Sequence, residues 1–184
     1  ANYVDRVKRR NTQKFINRHI HCLEIKSVAQ LNEQDYDAIV VGSDQIWRPQ
    51  YAPGIEHSFL DFADDWNIKR IAYAPSFGVD CWEYDDVQTE KCKRLIEKFD
   101  AVSVREKSGV ELCRKHLCHD AQWVLDPTML LQEDDYIRLF DEAYKTEEQE
   151  GKIFNYVLDP TEETESLTWW LASTLGFKVI RANS

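Results

Sequence analysis

The chain has 184 residues, and 33 acidic against 23 basic side chains give it a formal charge of −10. That length suffices for a sizeable core in one domain, or one domain and part of another, while the acidic balance removes any general attraction to a nucleic-acid backbone. No apolar run approaches the ~20 residues of a membrane-spanning helix, no apolar signal segment opens the chain, and five irregularly placed cysteines fit reduced thiols in a cytoplasmic protein.

In chain order, the first twenty residues predict a helix with Val4, Val7, Phe15 and Ile16 on one side and Lys8, Arg9, Arg10, Lys14 and Arg18 elsewhere, a solvated basic face. A short helical turn near Val28–Leu31 leads into a strand at Ala38-Ile39-Val40-Val41. Phe59-Leu60-Asp61-Phe62 reads as a short strand or a packed loop. A second strand, Ile71–Ala74, precedes the clearest helix, Asp85–Phe99, where Cys92, Leu95, Ile96 and Phe99 recur at the spacing of one buried stripe. Strand Ala101–Val104, helix Glu106–Cys118 with Val110, Cys113 and Leu117, strand Trp123–Leu125, and a helix through Tyr136, Ile137, Phe140 and Tyr144 follow. Beyond an acidic stretch at 145–152 a fresh unit starts with a strand at Ile153–Leu158. Its helix is expected to be capped by Asp159, with Pro160 at the first position and Glu162 completing a capping box, before a last strand at Phe177–Ile180.

Nearly continuous apolar strands separated by helices predict an α/β fold, a doubly wound and mainly parallel Rossmann-like sheet covered on both faces. The expected division is an incomplete Rossmann-like domain over 1–144, an acidic linker over 145–152, and the start of a second half over 153–184. The absence of an initiator Met fits either processing or an internal piece of a longer protein.

The four strands of the first unit each stop at polar residues, and Asp44, Ser76, Arg105 and Asp126 follow one another at intervals of 32, 29 and 21 residues. Such steps are close to the roughly 30 residues of one strand-helix-strand unit. In a parallel sheet these four ends share one rim, the rim where open α/β sheets bind ligands. Gly42 permits close backbone approach beside Ser43, Asp44 and Gln45, although a plain strand-to-helix turn explains the same residues. Trp47 fits a sugar-stacking platform or a core wedge. Arg105 suits a carboxylate or phosphate, or a simple pair with Glu106. Ser76 and Gly78 offer a hydroxyl and a close backbone, and Asp126-Pro127-Thr128 reads first as a turn. Cys113, His116, Cys118 and His119 lack the second knuckle of a closed zinc site, and Cys22, Cys81 and Cys92 read as buried, inert thiols.

Taken together, Val41-Gly42-Ser43-Asp44-Gln45-Ile46-Trp47, Lys69-Arg70-Ile71-Ala72-Tyr73-Ala74-Pro75-Ser76-Phe77-Gly78, Phe99-Asp100-Ala101-Val102-Ser103-Val104-Arg105-Glu106-Lys107-Ser108-Gly109 and Val124-Leu125-Asp126-Pro127-Thr128 resemble, in order, the bacterial polysaccharide pyruvyl transferase family. The likeness is dense from about Asp37 to Leu131. It implies two Rossmann-like halves arranged as in GT-B glycosyltransferases, with the site in the cleft between them. It also implies transfer of a pyruvyl group from phosphoenolpyruvate to a sugar hydroxyl of a cell-surface glycan (an exopolysaccharide or its lipid-linked precursor), with no cofactor or metal.

That chemistry needs a base at the sugar hydroxyl, cations on the donor, and an acid for the methylene carbon. Asp44 is the candidate base or hydroxyl anchor and Arg105 the candidate for the donor anion. Ser43, Gln45 and Ser76 are expected to orient hydroxyls, Trp47 to wall the acceptor side, and Gly42, Phe77, Gly78 and Asp126 to complete the substrate-binding set. The family's opening strand and glycine turn have no counterpart here. Arg114-Lys115-His116 has the spacing of the family's donor-binding Arg-x-His element but lies mid-helix in the first half, so the role is not transferred. The chain is therefore expected to be one wall of the site, inactive alone. The competing expectations are a GT-B glycosyltransferase using a sugar nucleotide and a non-catalytic glycan-binding module.

Overall fold

The computed structural model describes residues 9–139 and 151–181. The chain divides into two compact units, residues 1–131 and 132–184. The expectations for Val4, Val7, Lys8, Phe140, Tyr144 and the core of the acidic linker lie outside the described residues.

In the first unit, helix α1 (Arg10–His19) begins from Arg9 without a side-chain cap. A 3-10 turn at Val28–Gln30 follows, closed by a capping box in which Ser27 and Gln30 exchange hydrogen bonds with each other's backbone. Strands β1 (Ala38–Val41), β2 (Lys69–Ala72), β3 (Ala101–Val104) and β4 (Gln122–Trp123) form one sheet in the order β1-β2-β3-β4. Every neighbouring pair is parallel, with Val41 beside Ala72, Ala72 beside Val102, and Val104 beside Trp123. The segment at Phe59 is neither strand nor plain loop, but the end of one 3-10 turn (Ile55–Phe59) followed by another (Asp61–Ala63).

Helix α2 (Asp86–Ile96) starts at Asp85, whose carboxylate accepts the Gln88 amide at 2.7 Å while Gln88 returns a bond to the Asp85 amide. Helix α3 (Lys107–Leu112) runs into a π-helical turn at Cys113–Leu117. Alternation decides which strand residues are covered. Ile39, Val41, Ala72, Val102 and Val104 face the core built with Trp47, Phe59, Leu95, Ile96, Leu112 and Leu117. Val40 and Ala101 point the other way and stay exposed.

The doubly wound expectation is corrected here. The segments that cross from strand to strand pack against one another, α2 touching both the 3-10 turn at Ile55–Phe59 and the π-turn, so they share one face. The strand order contains no reversal among the described residues. A continuous apolar strand is compatible with one covered face when the other carries Val40 or Ala101, and that ambiguity made both faces look covered.

One buried cation ties the turns to the sheet. Arg70 on β2 donates to the carbonyls of Ala63 and Trp66, both at 2.6 Å, and of Ile68 at 3.1 Å. The Trp66 and Ile68 carbonyls thereby gain a donor, and the Ala63 carbonyl, which already accepts the Trp66 amide at 3.1 Å, gains a second.

In the second unit, α4 (Glu133–Leu139) leaves Tyr136 and Ile137 exposed. Strands β5 (Lys152–Asn155) and β6 (Lys178–Arg181) pair in parallel around helix α5 (Glu162–Leu175). The cap of α5 is Thr161, whose side chain accepts the Thr164 amide, rather than Asp159. Pro160 accordingly lies outside the helix, and Thr164, not Glu162, completes the box. Asn155 donates to the buried Thr168 hydroxyl at 2.8 Å, fixing strand to helix. Among the described residues no helix is long and apolar enough to cross a membrane.

Candidate functional site

The backbone ladder between β1 and β2 continues past the ends of both strands. Tyr73 donates its amide to Val41 at 2.8 Å, Ser76 to Asp44 at 3.0 Å, and Trp47 back to Ser76 at 3.2 Å. Gly42 makes this possible. Its φ is +145°, and a Cβ there would fall 1.9 Å from the Tyr73 carbonyl oxygen, so no other residue fits where the two chains pass.

Arg105, directly after β3, is the hub. Its Nε donates to Glu106 Oε1 at 2.9 Å, its Nη1 to Asp126 Oδ2 at 3.1 Å, and its Nη2 stands 3.9 Å from Asp44 Oδ1. Burial disfavours the charged guanidinium, but the bonds to Glu106 and Asp126 outweigh it and raise its pKa. The Nη2 edge makes no hydrogen bond to Asp44 at this distance.

Asp126 caps the turn that follows β4, accepting the Thr128 amide at 3.0 Å and hydroxyl at 2.8 Å on Oδ1. The Thr128 amide and hydroxyl, with smaller help from Arg105 and Ser43, hold its carboxyl down to about 2. Asp44 is different. Its Oδ1 accepts the Gln45 amide at 2.7 Å, and its side chain is 88% exposed. It is the one carboxylate of the cluster free to meet a substrate from solvent. Three carboxylates around one guanidinium leave the cluster negative, so a phosphate held there needs further cationic partners.

Ser76 is fully buried. Its hydroxyl donates to Glu106 Oε1 at 2.8 Å and accepts the Gly78 amide at 2.9 Å. Glu106 Oε1 therefore receives both Ser76 and Arg105, while its Oε2 is buried with no hydrogen-bond partner. Of the two readings of Arg105, the structure shows the pair with Glu106, which fixes the guanidinium beside Asp126 and Asp44. Gly78, with φ +72°, lies against the Gln45 carboxamide, where a Cβ would come within 2.1 Å of Oε1.

Burial corrects the expectations for Trp47, Phe77 and Ser76, and exposure corrects that for Cys22 and Cys81. Trp47 is fully buried, stacked on Phe59 with ring centroids 4.7 Å apart and donating its indole N–H to the Ser58 carbonyl at 3.2 Å. It is the core wedge and not a platform. Phe77 is buried against Trp47, and Ser76 holds Glu106 rather than a substrate hydroxyl. Cys22 and Cys81 are exposed, with Cys118, whereas burial pushes the Cys92 and Cys113 thiols up to about 12. His116 lies flat on Trp82, with centroids 4.5 Å apart and ring planes 2° from parallel. Among the described residues no group of three or more His, Cys, Asp or Glu is arranged to hold a metal ion.

Sequence reasoning offered Glu106 as a pair for Arg105 but missed it as the acceptor for the Ser76 hydroxyl, and it missed Tyr51 and Ser58 beside Asp44 and Arg48 beside Gln45.

A family model described as Polysaccharide pyruvyl transferase matches residues 1–168 of the chain. Among curated proteins and solved structures, none matches it.

Proposed function

Because the chain belongs to the polysaccharide pyruvyl transferase family, we propose that it forms the acceptor-side wall of a site where a pyruvyl group passes from phosphoenolpyruvate to a sugar hydroxyl of a cell-surface polysaccharide or its precursor. The observation that carries this reading is the convergence of the exposed Asp44 carboxylate and the Arg105 guanidinium, 3.9 Å apart.

In the proposed reaction a sugar oxygen bonds to C2 of phosphoenolpyruvate, C3 gains a proton, and the C2–O bond to phosphate breaks. A second sugar hydroxyl closing on C2 yields a cyclic ketal. Of the two hydroxyl protons released, one balances the proton taken by C3 and one leaves with phosphate or solvent. Asp44 accepts the proton of the attacking hydroxyl, or anchors it. Arg105 offers Nη2 to the donor's carboxylate or phosphate and stabilises the charge that develops as phosphate departs. Glu106 and Asp126 fix the guanidinium plane. The negative surplus of the cluster means that further cations for the donor come from outside these three acids and their arginine.

The test is whether the intact protein, offered glycans, releases phosphate from phosphoenolpyruvate. Consumption of a sugar nucleotide instead identifies a glycosyltransferase, and glycan binding without either reaction identifies a binding module.

A further inference from the structure

Next to the charged cluster, a hollow of about 390 Å³ is lined by Asp44, Gln45, Ile46, Tyr51, Ala52 and Ser58. Its size falls within the range of about 300–1,000 Å³ typical of small-molecule sites. The lining combines a carboxylate, a carboxamide, a phenol and a hydroxyl with the apolar side chains of Ile46 and Ala52. Only one of the six residues is charged, and it is negative. That composition disfavours an anion and suits a neutral polyol with one apolar face.

The side chains around the hollow are held in place from behind. Arg48 donates from Nε and Nη2 to Glu83 at 3.1 and 3.3 Å. From that anchorage its guanidinium carbon stands 5.2 Å from the centre of the Tyr51 ring, a cation–π contact, and its Nη1 reaches Gln45 Oε1 at 3.5 Å. One anchored cation thus steadies both the aromatic ring and the carboxamide. With its oxygen turned to Arg48 and Gly78, Gln45 keeps its NH2 group as a donor. Tyr51 is nevertheless 62% exposed, so its ring is open to a ligand. Asp44 belongs to both places, lining the hollow while its carboxylate lies 3.9 Å from Arg105 Nη2.

We infer that this hollow is the subsite for the acceptor sugar. A pyranose ring rests its C–H face on Tyr51, takes a hydrogen bond from Gln45, and presents a hydroxyl to Asp44 at the edge nearest Arg105. The inference rests on the reaction proposed above for the choice of ligand, but it requires binding without the donor.

The experiment titrates the full chain, without phosphoenolpyruvate, with methyl α- and β-hexopyranosides of gluco, galacto and manno configuration, followed by saturation-transfer NMR and calorimetry. At least one glycoside binds the wild type. Tyr51→Ala weakens it about tenfold, Tyr51→Phe retains most of the affinity, and Ala52→Trp, which fills the hollow, abolishes it. Unchanged unfolding midpoints show that the variants are folded, and because Tyr51 is exposed its substitution spares the core. The inference is overturned if no glycoside binds the wild type, if Tyr51→Ala and Ala52→Trp bind as well as wild type, or if uridine diphosphate binds the hollow in place of the glycosides. If glycoside binding follows the prediction and yet no phosphate leaves phosphoenolpyruvate, the subsite stands and the reaction reading falls.

Discussion

Trp47 separates a structural role from a substrate role at the heart of the site, and replacing it shows which one holds. The indole is fully buried between Phe59 and Phe77, bonds the Ser58 carbonyl, and its own backbone carbonyl accepts the Tyr84 hydroxyl at 2.6 Å. Truncating a buried aromatic to alanine costs about 3–5 kcal/mol in lost transfer and cavity terms. Set against a total stability on the order of 5–15 kcal/mol, Trp47→Ala removes about a fifth or more of it. Trp47→Phe is the cleaner probe. It keeps most of the ring volume but leaves the Ser58 carbonyl without its donor, a loss of about 1–3 kcal/mol. Urea unfolding followed by circular dichroism should show the midpoint of Trp47→Phe lowered with an unchanged slope, while glycoside affinity of the folded fraction stays at the wild-type level. A variant as stable as wild type but selectively deprived of glycoside binding would place the indole on the substrate and refute the assignment to the core.

Glu106→Ala should lower turnover by about tenfold or more while Glu106→Gln, still able to accept from Ser76 and Arg105, recovers part of it; equal losses in the two variants would show that geometry is not what Glu106 supplies. Asp126, held at about 2 against an ordinary value of about 3.9, contributes stability that is fully present above about pH 4 and is lost as the pH falls through its folded value. The stability gap between wild type and Asp126→Asn should therefore shrink as the pH drops from about 4 to about 2, and a gap unchanged over that window would contradict the assignment. An aromatic disulfide reagent should titrate Cys22, Cys81 and Cys118 in the native protein and reach Cys92 and Cys113 only after unfolding; rapid native reaction of all five would contradict the buried placement.

The rim was legible because it is encoded twice, in apolar runs that stop at Asp44, Ser76, Arg105 and Asp126 and in intervals long enough for a parallel crossover. Chain direction follows from those intervals alone, and the parallel register of Val41, Ala72, Val102 and Val104 agrees with it. Burial was not legible. Trp47 and Tyr51 are both aromatic and lie four residues apart in the same turn-rich segment, yet one is the wedge and the other is exposed. Only the tertiary packing of Phe59 and Phe77 against the indole decides between them. The same holds for Ser76, whose hydroxyl reads as free until Glu106, thirty residues on, is seen to take it. At α5, Asp159, Pro160 and Thr161 offer consecutive starting signals, and local backbone rather than residue type selects Thr161. Strand β4 is shorter than its apolar run because pairing with β3 ends at Trp123, while Val124 only donates its amide to Val104.

The most direct measurement is kcat/KM for phosphoenolpyruvate in the intact enzyme carrying Asp44→Asn or Arg105→Lys, each with an unfolding midpoint equal to wild type. Asparagine removes the proton acceptor, and lysine keeps the charge while losing the planar fork that reaches Glu106 and Asp126 together. Each variant is predicted to fall by about a hundredfold or more. Values within about twofold of wild type in both, a difference under ~0.5 kcal/mol, would contradict a catalytic role for the pair.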